Sequence, residues 1–172
     1  ILPALGQPFK IRRLSEKEDI ELADALLENT SVTHLELKTD YYTKNSAEAM
    51  AKFVRTSKRL QQIRLNRKLY PESRQARRQR EEMMSFFLPA IQESTSLKEL
   101  HMELPLEGGP STLALESMLT HTQSLRSLSL VCPDGPLEDI AVAAARSGLK
   151  KNTTIRELTL DFSVDVTTIS PI

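Results

Sequence analysis

A six-residue pattern of apolar, polar, polar, apolar, polar and apolar positions recurs five times along the chain. It begins at Val32, Leu60, Leu97, Leu125 and Ile155, which gives spacings of 28, 37, 28 and 30 residues. Recurrence with a period of roughly 20–50 residues is the sequence signature of repeat architectures. The pattern therefore predicts five units that stack on one another, because no single unit could bury its own apolar side chains.

A pair of apolar residues at helical spacing precedes each copy of the pattern. These pairs are Leu22 and Leu26, Met50 and Val54, Phe87 and Ile91, Leu115 and Leu119, and Ala145 and Leu149. Residues four apart share one face of a helix, so the pairs predict a helix ahead of each strand. A small polar residue suited to ending a helix stands three positions before each copy: Asn29, Ser57, Ser94, Thr122 and Asn152.

The first, fourth and sixth residues of each pattern are predicted to face the helices. Alternation along a strand puts the fourth and sixth residues on the same side of the sheet. The fourth positions are Leu35, Ile63, Leu100, Leu128 and Leu158. We expect these five side chains to lie next to one another in a single interior column.

The two ends of the chain are predicted to differ from the repeats. We expect residues 1–31 to form an N-terminal cap, with a leading strand over Pro8–Leu14, where Phe9 and Ile11 alternate, and a helix from about Lys17 to Glu28. Residues 32–161 then hold the repeats, and residues 162–172 form a C-terminal tail. The last strand has no helix after it and would be an exposed edge. Either the protein continues beyond Ile172, or the tail closes the sheet.

One local signal predicts where the second helix begins. Asn45 is followed three residues later by Glu48, which is the spacing of a capping box. We therefore expect a helix over Ala47–Val54 that is capped by Asn45.

Composition and charge narrow the class of protein. The chain has 172 residues, of which 40% are hydrophobic and 27% charged; this suits one domain over residues 1–172 with one core. Lys and Arg balance Asp and Glu at 23 each, so no overall field attracts nucleic acid or an anionic membrane.

The single cysteine, Cys132, cannot form an internal disulfide, which indicates an intracellular protein of the cytoplasm or nucleus. Because the chain starts at Ile1 rather than Met, we expect it to be a piece of a longer protein.

The segments from Asn29 to Leu37 and from Asn152 to Leu160 resemble the ribonuclease-inhibitor-like class of leucine-rich repeats. The resemblance covers about residues 20–161 and includes the 28-residue spacing. It implies an α/β solenoid of about five repeats, a right-handed arc with a parallel sheet inside and helices outside. The class contains enzyme inhibitors, GTPase-activating proteins, immune-receptor sensors and actin-capping proteins, so the fold does not choose a function.

The chain departs from the class just after each strand. The class usually places Asn or Cys three residues after the last strand leucine, where the side chain joins neighbouring loops. This chain has Asp40, Lys68, Pro105, Pro133 and Ser163 at these places. We therefore expect irregular loops and imperfect curvature.

The strand residues between the core positions are the first candidate site for a protein partner. They are His34, Glu36, Lys38, Gln62, Arg64, Asn66, Glu99, His101, Glu103, Ser127, Ser129, Glu157, Thr159 and Asp161. With strands about 4.8 Å apart they would form one surface, increasingly acidic toward the C-terminus. The alternative is a simple solvated sheet, because the surface lacks the aromatic residues that are enriched at interface hot spots. Tyr41 and Tyr42 are the nearest aromatic anchors, although they could equally pack on the N-terminal cap.

A basic insertion at residues 66–82 lengthens the third unit and is the second candidate site. Its helical spacing places Arg74, Arg77 and Arg78 on one face, with Arg80 close by. An acidic protein, RNA phosphates or a nuclear-import receptor could bind there. We prefer the simpler interpretation of a solvated helix extension, whose charge Glu81 and Glu82 balance.

No set of residues predicts catalysis, a metal site or a cofactor. His34 and His101 would lie two strands apart, about 10 Å, and His121 falls on the helical side. We therefore interpret the chain as a non-catalytic protein-interaction module, with neither nucleic acid nor a membrane as an expected partner. Two alternatives remain open: a sensor or substrate-selecting segment of a larger regulator, of the immune-receptor or ubiquitin-ligase-adaptor type, and a binder of RNA or an acidic partner through the basic insertion. The partner's identity and the oligomeric state stay open.

Overall fold

Strands and helices alternate through the whole described part of the chain. The computed structural model describes residues 9–11, 16–38, 43–66, 74–103, 110–132 and 139–162. The strands are β1 (Phe9–Ile11), β2 (His34–Lys38), β3 (Gln62–Asn66), β4 (Glu99–Glu103), β5 (Ser127–Cys132) and β6 (Glu157–Phe162). The helices are α1 (Glu16–Glu28), α2 (Lys44–Thr56), α3 (Arg74–Glu93), α4 (Pro110–His121) and α5 (Asp139–Lys151). The leading strand and the first helix are confirmed at the predicted places.

The six strands form one parallel sheet in the order of the sequence. Every neighbouring pair is parallel, and each helix contacts the next helix along the chain. Connections between neighbouring parallel strands are right-handed in nearly all proteins, and this places all the helices on one face of the sheet. The alternating α/β arrangement predicted from the repeat is therefore confirmed, and each inner unit packs on the units before and after it.

The predicted interior column is present and continuous. The register aligns Leu35 with Ile63, Ile63 with Leu100, Leu100 with Leu128, and Leu128 with Leu158. The first four side chains are at most 2% exposed. Together with the buried helix residues they belong to one hydrophobic cluster that runs through consecutive units. The hydrophobic effect of each buried leucine or isoleucine, about 1.5–3 kcal/mol, therefore acts between units as well as within them.

The last unit departs from the predicted core. Leu158 is 45% exposed and Leu160 is 46% exposed, although both occupy positions that are buried in β2 to β5. Both residues keep the predicted register, and they are exposed because a core-facing strand residue needs a helix on each side to cover it. Helix α5 lies on one side of β6, and the described residues include no helix on the other.

The turns between helices and strands are built around the predicted small polar residues. The Asn29 Oδ1 accepts hydrogen bonds from the backbone N–H of Ser31 at 2.8 Å and of Val32 at 2.9 Å. The Asn152 Oδ1 does the same for Thr154 and Ile155, both at 2.8 Å. These side chains replace the backbone partners that the amides lack between helix and strand.

A ladder of hydroxyl groups joins neighbouring turns, and the apolar pattern did not predict it. The residue just before the pattern donates to a carbonyl in the preceding turn: the Ser96 Oγ to Ser57 at 2.7 Å and the Thr154 Oγ1 to Thr122 at 3.1 Å. Between them, the Ser124 Oγ donates to the Ser94 carbonyl at 2.6 Å. The ladder lies where the helices end. The five positions after the strands at which the class usually has Asn or Cys lie outside the described residues; they are Asp40, Lys68, Pro105, Pro133 and Ser163.

We expect Ser124→Ala to destabilise the protein by about 1–2 kcal/mol. The Ser124 side chain is 4% exposed, so its removal leaves the Ser94 carbonyl without that donor and with little access to water. Ser31 occupies the same position in the first unit but is exposed, so Ser31→Ala should change stability by less than about 0.5 kcal/mol. Urea unfolding of both variants tests this. Equal losses would contradict a role for the ladder.

The predicted capping box of the second helix is wrong. The helix begins at Lys44, and the Thr43 Oγ1 caps it by accepting from the Ser46 N–H at 3.3 Å. Asn45 therefore lies inside the first turn. The prediction placed the start near the first apolar residue, Ala47, whereas the polar residues Lys44, Asn45 and Ser46 supply the first turn.

Candidate functional site

The strand residues between the core positions lie on the face of the sheet opposite the helices. We call this surface the open face and define it by three rows of residues that cross the strands. The first row is His34, Gln62, Glu99, Ser127 and Glu157; the second is Glu36, Arg64, His101, Ser129 and Thr159; the third contains Lys38, Asn66, Glu103, Val131 and Asp161. The register thus brings all the predicted strand residues onto one surface, and their part in binding stays a prediction.

Hydrogen bonds between strands hold several side chains of the open face in place. The Asn66 Nδ2 donates to the Glu36 Oε1 at 2.9 Å, which joins β3 to β2. The His101 Nδ1 and the Ser129 Oγ lie 3.0 Å apart, which joins β4 to β5. These residues are half-buried. A polar surface that is already ordered loses less conformational entropy when a partner binds.

Charge is distributed unevenly over the open face. Its carboxylates are Glu36, Glu99, Glu103, Glu157 and Asp161, whereas Arg64 is the cation among its described side chains. Glu99, Glu157 and Asp161 are exposed. The half of the open face formed by β4 to β6 is therefore acidic, as predicted, and creates a local field that attracts cations although the whole chain is neutral.

The hydrogen bond between His101 and Ser129 is the arrangement on this face closest to catalytic chemistry. A serine nucleophile also needs N–H donors that stabilise an oxyanion. On β4 and β5 the backbone amides take part in the parallel ladder. The described residues also contain no group of three or more His, Cys, Asp or Glu side chains that could hold a metal ion.

The basic insertion forms the first turns of a long helix. Helix α3 starts at Arg74, so Arg74, Arg77, Arg78 and Arg80 lie on its N-terminal end. Their side chains lie outside the described part of the structure, as do residues 67–73, Tyr41 and Tyr42. Glu81, which was expected to balance these arginines, accepts a hydrogen bond from the Ser111 Oγ of α4 at 2.5 Å.

A second charged surface lies where the helices end and the strands begin. We call it the turn edge and define it by the exposed cations Lys58, Arg59, Lys98, Arg126 and Arg156. The sequence prediction missed it because the charge at the second position of the pattern was not compared between units. The signal was available, because Lys98, Arg126 and Arg156 are the second residues of three successive patterns.

A groove of about 350 Å³ lies at one end of the turn edge. It is lined by the ends of α1 and α2 and by the turns that follow them, including Leu27, Phe53, Lys58 and Arg59. Leu27 is half-buried and Phe53 is buried. The groove therefore offers part of one apolar side chain, Leu27, beside the two cations Lys58 and Arg59. None of the helices in the described ranges is long and apolar enough to cross a membrane.

Two solved structures have a similar fold. One is "Leiomodin-1 Actin-Binding Site 2 (ABS2)", with a TM-score of 0.58, 14% identity, and coverage of 89% of this chain and 83% of that chain. The other is the tropomodulin C-terminal domain of Caenorhabditis elegans, with a TM-score of 0.51, 16% identity, and coverage of 88% of this chain and 86% of that chain. At this identity the likeness concerns the fold, which is alternating α/β and leucine-rich-repeat-like. No protein-family model and no curated protein matches the sequence.

Proposed function

We propose that this chain is a non-catalytic protein-binding module that holds its partner on the open face. The observation that carries the proposal is the register, which gathers ordered polar side chains and an excess of carboxylates on a surface that the helices leave uncovered. The leiomodin-1 structure, which has a similar fold, is an actin-binding site. This supports a binding role for this kind of scaffold. The fold likeness alone does not name a partner.

The acidic half of the open face favours a partner that presents lysine or arginine side chains. Glu99, Glu157 and Asp161 are exposed, so each can meet a cation without first breaking a buried contact. Exposed charges of this kind raise association rates and select the partner, while they add modest affinity. We therefore expect binding through this face to weaken as the salt concentration rises.

Several sequence predictions belong to this proposal. We propose one domain over residues 1–172, capped by residues 1–31, in which the repeats form a right-handed arc of the ribonuclease-inhibitor-like class with the open face inside. The 28-residue spacing supports the class. The single Cys132 supports an intracellular location. Service as a sensor or substrate-selecting segment of a larger regulator is compatible with the same binding surface.

Reversing the exposed charges of the open face should abolish the selection of basic peptides. We propose to display random peptides to the immobilised protein and to compare it with the triple variant Glu99→Lys, Glu157→Lys and Asp161→Lys. The matched control reverses three exposed carboxylates of the helices, at Asp24, Glu48 and Glu82. The native protein and the control should enrich peptides rich in lysine and arginine, and the triple variant should not, because cations would then be repelled.

Two results of this experiment would contradict the proposal. One is the selection of peptides that bind the triple variant and the native protein equally well. The other is equal loss in the control, which would mean that overall charge rather than the open face recruits the peptides. Actin is the first whole protein to test, by co-sedimentation with the same three proteins, since the leiomodin-1 site is named for it.

A further inference from the structure

The turn edge carries a row of cations on consecutive units. Lys98, Arg126 and Arg156 are exposed and occupy equivalent positions just before β4, β5 and β6. The Arg126 N–H donates to the Lys98 carbonyl and the Arg156 N–H to the Arg126 carbonyl, both at 2.8 Å. These bonds show that the three residues are direct neighbours. Their backbones are therefore separated by about one strand spacing each, roughly 4.8 Å.

The row continues through Gln61, the equivalent residue of the preceding unit, whose carbonyl accepts from the Lys98 N–H at 2.7 Å, toward the groove between α1 and α2. The Ser96 Oγ donates to the Ser57 carbonyl at 2.7 Å, so the turn that precedes Lys98 lies directly against the turn that contains Lys58 and Arg59. From Gln61 to Arg156 there are three strand spacings, roughly 15 Å, which about five residues of an extended peptide would span, and Arg59 stands two residues before Gln61. The groove and the cations therefore lie along the same edge of the sheet.

The exposed carboxylates adjacent in sequence to this row, Glu99 and Glu157, belong to the open face. Within the described ranges, none of Lys58, Arg59, Lys98, Arg126 and Arg156 takes part in an ion pair. The nearby carboxylate of Glu93 pairs with Arg55 of the preceding helix at 3.0 Å. One guanidinium has a structural contact, because the Arg126 Nη1 donates to the Thr154 carbonyl at 3.1 Å.

Helix stabilisation accounts for only part of this charge. Cations in the last turn of a helix interact favourably with its dipole, and the effect fades beyond that turn. Arg55 in α2 and Lys150 and Lys151 in α5 occupy such positions. Lys98 and Arg126 instead follow the helix ends at Glu93 and His121 by five residues. Their alignment across the strands needs another explanation.

We propose that the turn edge binds an extended acidic peptide segment, with one apolar side chain in the groove and carboxylates along Lys98, Arg126 and Arg156. Leu27, the half-buried apolar side chain in the lining of the groove, can contact an aliphatic side chain, which a nucleic acid lacks. Base stacking would need exposed aromatic rings, and Phe53 is buried. The turn edge and the open face have opposite charge, so the two surfaces select different partners.

The probe is a fluorescent peptide of about eight residues, in which glutamates alternate with serines and one leucine stands near an end. Two versions, with the leucine near either end, cover both directions of binding. Fluorescence anisotropy at low salt compares the native protein with the double variant Lys98→Glu and Arg156→Glu. The control is Lys52→Glu with Arg146→Glu, which reverses two exposed helix cations. Circular dichroism verifies that all three proteins are folded.

We expect the double variant to bind the peptide at least about tenfold more weakly, and the control to change affinity by less than about twofold. A peptide with serine in place of the leucine should also bind more weakly, because it leaves the groove unfilled. Equal affinity of the serine peptide would overturn the role of the groove. The proposal as a whole is overturned if the native protein does not bind either peptide, or if a single-stranded oligonucleotide or phosphatidylserine vesicles displace the peptide at equal charge concentration.

Discussion

Leu100→Asp will abolish the cooperative unfolding transition, whereas Leu158→Asp will leave it in place. Both leucines stand in the same interior column and differ in cover, because Leu100 is 2% exposed and Leu158 is 45% exposed. At Leu100 the substitution removes about 1.5–3 kcal/mol of hydrophobic stabilisation and places a carboxylate among apolar side chains. These losses approach the whole stability of a typical domain, about 5–15 kcal/mol.

The position of Leu100 in the array enlarges the effect. Its neighbours in the column are Ile63 on one side and Leu128 on the other, so both interfaces of the central unit are damaged. Stability in stacked repeats is approximately a sum of unit and interface contributions, and a central defect interrupts the stack. Leu158 has a described neighbour on one side only, so Leu158→Asp should cost about 1 kcal/mol or less.

Thermal unfolding followed by circular dichroism distinguishes the two variants. Leucine-to-alanine variants at the same positions keep the comparison quantitative, with a loss of about 2–5 kcal/mol expected at Leu100 and a much smaller one at Leu158. A fully unfolded Leu158→Asp would contradict this account. It would mean that another segment or molecule covers the helix side of β6 in solution.

The same column shows which parts of the fold could be predicted from the sequence. Apolar periodicity predicts which residues face the helices, because alternation and helical geometry leave few other solutions. The periodicity therefore predicted the register of the five column residues, Leu35, Ile63, Leu100, Leu128 and Leu158, and the places of the helices between the strands. It does not predict how well each position is covered, because cover depends on what lies beside the unit. Leu158 and Leu160 have the same pattern as their buried equivalents and are nonetheless exposed.

Polar contacts show where sequence reasoning fails. The cap at Thr43 and the bond from Ser124 to Ser94 depend on hydrogen-bond distances that many nearby hydroxyl and amide side chains could have satisfied equally well. The open face could be predicted because it is the complement of the apolar pattern. The turn edge could have been found by aligning polar positions, because Lys98, Arg126 and Arg156 then fall in one row. The groove beside it depends on how α1 and α2 pack, and periodicity carries no information about that.

Gly148→Val will destabilise the protein by at least about 3 kcal/mol, and Gly148→Ala by about 1–2 kcal/mol. Helix α5 approaches α4 so closely at Gly148 that an added Cβ would lie 2.6 Å from the Leu119 Cβ and 2.9 Å from the Glu116 carbonyl oxygen. Neither atom belongs to the flexible end of a side chain. The two helices must therefore separate, and overpacking of this kind costs about 1–3 kcal/mol.

Two hydrogen bonds between these helices will weaken as they separate. The Ser147 Oγ donates to the Glu116 Oε1 at 2.6 Å, and the Asn152 Nδ2 donates to the Leu119 carbonyl at 2.6 Å. Alanine is favoured over glycine inside a helix by about 1 kcal/mol, which offsets part of the loss in Gly148→Ala. Valine gains less from helix propensity and adds two methyl groups to the same contact.

Urea unfolding of the two glycine variants and of Arg146→Ala provides the test. Arg146 is exposed on the same helix, so its variant should change stability by less than about 0.5 kcal/mol. The contrary result is a Gly148→Ala protein more stable than the native one, because helix propensity would then outweigh the clash and the two helices could not be packed so closely.

If the helices do separate, the displacement reaches the turn edge, because Asn152 also accepts the backbone hydrogen bonds that shape the turn before Arg156. Gly148→Ala should therefore weaken binding of the acidic peptide at Arg156 more than it weakens binding of basic peptides at Glu99.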